Sequence, residues 1–157
     1  MHRIVKLAAI AAASTAAVAV TASPALAWTN GPYHATTSAL VVKVSGSPVA
    51  TCTGSVLSGT MTTAGTFTVT AASATGCGVT VTPTGFPWSG SFSGGNATIS
   101  NFKMSALGCT YAGSLSGPAT GAMPPATVTF TDRPVSGTGL FCFSNVTVSA
   151  TYVFTQP

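Results

Sequence analysis

The chain has 157 residues, of which 4% are charged, with five Lys or Arg against a single acid. Paired-carboxylate hydrolysis has no second acid to work with, and nucleic-acid binding has no cluster of cations to neutralise phosphates. The sequence pI near 9.1 reflects a shortage of acids, not a basic patch.

The first residues read as an export signal. His2, Arg3 and Lys6 make a short basic region, Ile4 to Val20 is apolar and Ala-rich, and Ala25-Leu26-Ala27 matches a small-x-small cleavage pattern. The apolar run is short for a membrane anchor and is followed by Thr21, Ser23 and Pro24. Cleavage is expected after Ala27. Residues 28–157 would then form a single secreted domain of 130 residues (157 minus 27), with no transmembrane span, in a bacterial extracellular setting. Its charges reduce to Lys43, Lys103, Arg133 and Asp132, and His34 is its one histidine.

From there the pattern is all-β, read in chain order. Gly31-Pro32 is turn chemistry, and His34 beside it falls in a segment expected to be mobile. Leu40, Val42 and Val44 alternate as a strand, with Lys43 on the outer face. Ser45 to Pro48 reads as a turn. CTGSVLSG (52–59) opens a Gly-Ser-Leu strand, TFTVTA (66–71) alternates, and VTVT (79–82) follows Cys77. Phe86-Pro87-Trp88 is either an aromatic binding platform or core packing at a strand start. Gly94-Gly95-Asn96 turns into a strand marked by Ala97, Ile99 and Phe102. CTYAGSLSG (109–117) repeats the earlier phrase before the turn signals Gly117-Pro118 and Met123-Pro124-Pro125. Thr127 to Thr131 alternates, and Asp132-Arg133-Pro134 reads as a turn with a local ion pair. The last strand, Asn145 to Thr155, is the clearest: Val146, Val148, Ala150, Tyr152 and Phe154 share one face. Short strands bounded by turns argue a disulfide-stapled antiparallel β-sandwich or small barrel, which also hides edges that so little charge cannot guard.

The repeated phrase divides the domain. Each half runs cysteine, Gly-Ser-Leu strand, Thr-alternating strand, cysteine, Val-Thr strand. This suggests two related β-meander halves, each with its own bridge. Of the three pairings that four cysteines allow, it selects Cys52–Cys77 and Cys109–Cys142. Short C-x-x-C spacing and paired histidines are missing, so no metal site is expected.

Nor is a catalytic or cofactor site expected. A Ser-His-Asp triad would need His34 and Asp132, and a Ser-Lys dyad Lys43 or Lys103, all better explained as turn or strand-face residues. The Thr-x-Thr pairs are too unevenly spaced for an ice-binding array and suit exposed strand faces. Trp28, Tyr33, Trp88 and Tyr111 could offer stacking faces to a glycan.

Several ordered features carry a resemblance: the leader, Cys52 before LSG, TVTAASATGC ending at Cys77, Phe86-Pro87-Trp88, NATISNFKM (96–104), Cys109, and Cys142 shortly before the final strand. The chain resembles the secreted four-cysteine proteins of the alkane-oxidation protein activator family. It also resembles small actinobacterial exported proteins of unknown function that share a C…C…W…C…C order. The first resemblance implies an extracellular, surface-active protein that helps disperse hydrophobic substrate, with related roles at the cell surface or in biofilm matrix, and implies no catalytic residue. The expected function is therefore non-enzymatic: a surface-active or self-associating β protein at the cell surface, the extracellular matrix or a hydrophobic interface. The segment Trp28 to Ser45 could add to a neighbour's open sheet edge. The alternative is a carbohydrate- or cell-wall-binding module.

Overall fold

The computed structural model describes residues 27–157; the segment expected to be an export signal, Ala25 included, lies outside the described residues apart from Ala27. Among the described residues the regular structure is all strand: β1 (Gly31–Thr37), β2 (Leu40–Val44), β3 (Ser47–Cys52), β4 (Gly54–Met61), β5 (Thr66–Thr75), β6 (Val81–Pro83), β7 (Trp88–Ser93), β8 (Asn96–Ala106), β9 (Cys109–Gly121), β10 (Ala126–Thr138) and β11 (Val146–Thr155). Neighbours run β1-β4-β5-β7-β8-β9-β10-β11, and β11 pairs back onto β1, so eight antiparallel strands close a barrel. A β2–β3 hairpin extends the sheet from β11, and β6 lies against β8.

Alternation builds this core. Val146, Val148, Ala150, Tyr152 and Phe154 are all buried, while Thr151 and Val153 between them are exposed. Each buried aliphatic or aromatic side chain stabilises by roughly 1.5–3 kcal/mol. Aromatic rings fill the barrel. Trp28 stacks on Phe92 at 5.1 Å, and Phe67, Phe92 and Phe154 meet at centroid distances of 5.3 to 5.5 Å. Tyr33 packs on Phe67 and Phe154, both at 5.6 Å.

The two bridges are Cys52–Cys77 and Cys109–Cys142. The repeated phrase also has a structural meaning. In each half the two cysteines bracket an antiparallel hairpin, β4–β5 or β9–β10. The glycine ending each phrase faces the partner backbone. A Cβ on Gly59 would stand 1.7 Å from the Thr68 carbonyl oxygen, and one on Gly117 2.0 Å from that of Thr129. Only glycine allows that approach. The third strands diverge: β11 continues its meander beside β10, whereas β6 leaves β5 and pairs with β8.

Several expectations need correction. Gly31-Pro32 lies within β1, and His34 is paired on both sides, to Ser58 and Thr155, so it sits in the barrel wall and not in a mobile tail. The segment from Trp28 to Ser45 pairs inside its own chain through β1 and β2. Ser47 and Pro48 belong to β3 and Gly117-Pro118 to β9. The Val79–Thr82 strand is Val81–Pro83. Asp132 pairs with Lys43 of β2 at 2.7 Å and not with its sequence neighbour Arg133.

Candidate functional site

The sequence residues singled out as binding aromatics are core. Trp88 is buried and donates its indole N–H to the Thr84 carbonyl oxygen at 2.8 Å; Phe86 stacks on it at 4.8 Å. Trp28, Tyr33 and Tyr111 are buried too, so none presents a free face to a sugar ring. Burial pushes the Tyr33 hydroxyl well above its ordinary range. It pushes Tyr152 up to about 12, offset in part by the 2.7 Å bond to Ser55. These are packing groups.

The polar candidates stay apart from one another. The Asp132 carboxylate accepts from Lys43 Nζ at 2.7 Å and from Ser149 Oγ at 3.0 Å, and these bonds hold it below the usual carboxylate range. His34 contributes its backbone carbonyl to Thr155. Among the described residues no group of three His, Cys, Asp or Glu side chains is placed to share a metal ion.

What stands out is apolar. Leu107 is 73% exposed, Leu140 89%, Phe141 99%, Phe143 49% and Val49 52%. Such side chains scattered singly would be ordinary, but these converge on one end of the barrel. Leu107 and Gly108 form the two-residue turn between β8 and β9, closed by the Ala106–Cys109 pair. Both turn residues have positive φ, 53° and 76°, the geometry that Asn-Gly fills most easily. A leucine there is strained, and its side chain points to solvent. Phe141, at φ 63°, repeats the pattern in the loop between β10 and β11.

The two loops touch and are bridged. A Cβ on Gly139 would lie 3.5 Å from the Gly108 carbonyl oxygen and 2.8 Å from Cys142 Sγ. Cys142 is bonded to Cys109, the residue that closes the Leu107 turn. The bridge therefore holds the loop 139–143 against the Leu107 turn: Phe143 lines the same groove as Leu107, and Leu140 and Phe141 project from that loop into solvent. Below them a groove of about 50 Å³ runs between the β2–β3 hairpin and β6, β8 and β9, with Val44, Val49, Leu107, Tyr111 and Phe143 among its walls. None of its lining residues is charged. A water needs roughly 10–15 Å³ of such space, so the groove takes a few methylene-sized groups and not the length of a hydrocarbon chain.

A family model covers residues 1–156, nearly the full length of the chain. The protein belongs to the PraA/PraB-like family of alkane oxidation protein activators. No curated protein and no solved structure matches it. Family membership agrees with the resemblance drawn from the cysteine order and the Phe86-Pro87-Trp88 segment. It leaves open which residues do the work, and the apolar end was not singled out from the sequence. The available signal was Gly139-Leu-Phe-Cys-Phe (139–143), an apolar run that breaks the alternation of β10 and is followed at once by Ser144-Asn145.

Proposed function

We propose that this protein is exported and works without catalysis, adsorbing to hydrophobic surfaces through the bridged apolar end of its barrel. The observation that carries this reading is the convergence of Leu107, Leu140, Phe141 and Phe143 at one end, with two of them in left-handed backbone conformations. Strain of this kind costs of order 1–3 kcal/mol and clusters at functional sites, so two strained, solvent-facing apolar residues at one end point to a use for them there. The family's link to alkane oxidation gives that use a setting: an apolar phase in water, at the cell surface, in the extracellular matrix or at a droplet. Two disulfides suit an oxidising compartment. The loops insert; the rigid barrel stays in water.

Interfacial tension at a hexadecane–water drop tests this. The mature protein should lower the tension, and Leu140→Ser with Phe141→Ser should lose most of that effect while keeping the fold, since both side chains are solvent-exposed. Equal activity in the double variant would remove the apolar end from the mechanism.

A further inference from the structure

A second feature lies on the barrel wall, away from the apolar end. One edge of β11 serves two neighbours. Val146–Ala150 pair with β2, and Val153–Thr155 pair with β1. The sheet forks between them, at Thr151 and Tyr152. The linker Ser38-Ala39 leaves the sheet at the same level, turned by the Thr37 hydroxyl, which donates to the Ala39 carbonyl oxygen at 2.9 Å.

The fork opens a crevice of about 560 Å³, within the range of small-ligand sites. Seven of its twelve lining residues carry a hydroxyl, among them Thr36, Ser38, Thr129, Thr131, Ser149 and Thr151, although carbon atoms make up more of its exposed surface than oxygen and nitrogen. Thr36, Ser38, Thr131 and Thr151 are exposed. Phe130 and Ala150 send their side chains into the core, so they line the crevice by backbone. Val41, Val153 and the threonine methyls supply apolar contact. At one end Ser149 donates to the Asp132 carboxylate, which also holds Lys43.

We propose that this crevice binds a neutral polysaccharide. A hydroxyl both donates and accepts, so a row of them matches the hydroxyls of a sugar in either sense. An anionic chain would find Lys43 already paired with Asp132. Thr129 and Thr151 bond each other at 3.3 Å and Ser149 is engaged by Asp132, so a hydrocarbon would cover the exposed hydroxyls of Thr36, Ser38 and Thr131 with no partner. With no aromatic face in the crevice, a single sugar binds weakly, and affinity grows with repeated contacts along a polymer or among several copies. Together with the apolar end, the site would let one molecule touch a glycan coat and an apolar phase at once.

The test is amide chemical-shift mapping of the labelled mature protein against maltohexaose, cellohexaose and chitohexaose, each taken to about 10 mM, where a millimolar Kd is largely saturated. At least one oligosaccharide should move the amides of Ser38, Ala39, Ser149 and Thr151 and leave Leu107 and Phe141 still. Thr129→Val with Thr151→Val removes two hydroxyls with little change in shape, and should weaken binding about tenfold with the rest of the spectrum unchanged. The proposal is overturned if no sugar shifts these amides, if shifts fall elsewhere on the barrel, or if the double variant binds as tightly as the parent. Any of these results leaves the interfacial-tension reading intact, because the two sites share no residue.

Discussion

Leu107 sits where asparagine or glycine would be at lower energy. Its φ of 53° at the first position of a two-residue hairpin turn places Cβ against backbone, a cost of about 1–2 kcal/mol for an ordinary side chain. Replacing it with asparagine should therefore stabilise the protein by about 1 kcal/mol, read as a higher urea midpoint with unchanged slope. The same change removes the largest exposed side chain of that turn and should weaken adsorption to hexadecane. A gain in stability with loss of activity is the pattern of a residue kept for function. A gain in stability with full activity would assign Leu107 no role at the interface. This conflict was not legible in the chain, because Leu107-Gly108 carries no turn signature stronger than its glycine. The opposite holds at Gly59 and Gly117. Their place at the end of two matching phrases was visible, but the reason for glycine, a carbonyl oxygen 1.7 Å and 2.0 Å from the missing Cβ, needs the partner strand.

At the scale of elements, the two disulfides have different tasks. Cys52–Cys77 joins the end of β3 to the exit of β5 and is fully packed, with both residues buried. Cys109–Cys142 joins the Leu107 turn to a loop that runs from Gly139 to Asn145 without strand pairing. In the chain-entropy model each bridge, spanning 25 and 33 residues, contributes roughly 3–4 kcal/mol. The functional effects should separate. The Cys109→Ser, Cys142→Ser variant should keep the barrel's circular dichroism and lose surface activity, because Leu140, Phe141 and Phe143 are no longer held as one patch. The Cys52→Ser, Cys77→Ser variant should lose stability to a similar degree yet keep its activity where it remains folded. Equal loss of activity in both would mean that the bridge supports the fold alone. The pairing was legible from the half-repeat, as were β2, β5, β8, β10 and β11, whose apolar residues alternate. The start of β7 was legible at Trp88, read as core packing at a strand start, but strands β1 and β3 were not. Gly31-Pro32 and Ser47-Pro48 look like breakers in isolation, and they are tolerated in strands because cross-strand pairing outweighs local preference.

For the whole molecule, closure decides what surface remains. β1 pairs with β4 along its length and with β11 at Thr155, Phe154 and Val153, so the barrel keeps no long free edge there. A chain with almost no charge needs that closure. Which strand closes the barrel was hidden from the sequence, since register between the first and last strands is set by packing around Tyr33 and Phe154 and not by any local turn. On the proposed surface-active reading, the same scarcity of charge decides how the protein would meet an interface. Lys43 and Asp132 neutralise each other, leaving Lys103 and Arg133 as the remaining charged side chains in the described residues. None of the four lines the apolar groove. Adsorption driven by the apolar end should then be nearly independent of salt. Tension at hexadecane should fall equally in about 10 mM and about 500 mM NaCl, where the screening length shrinks from roughly 30 Å to a few ångströms. Adsorption driven by long-range charge would collapse over that range, and a collapse here would move the contact surface from the Leu107–Phe143 end to the wall that carries Lys103 and Arg133.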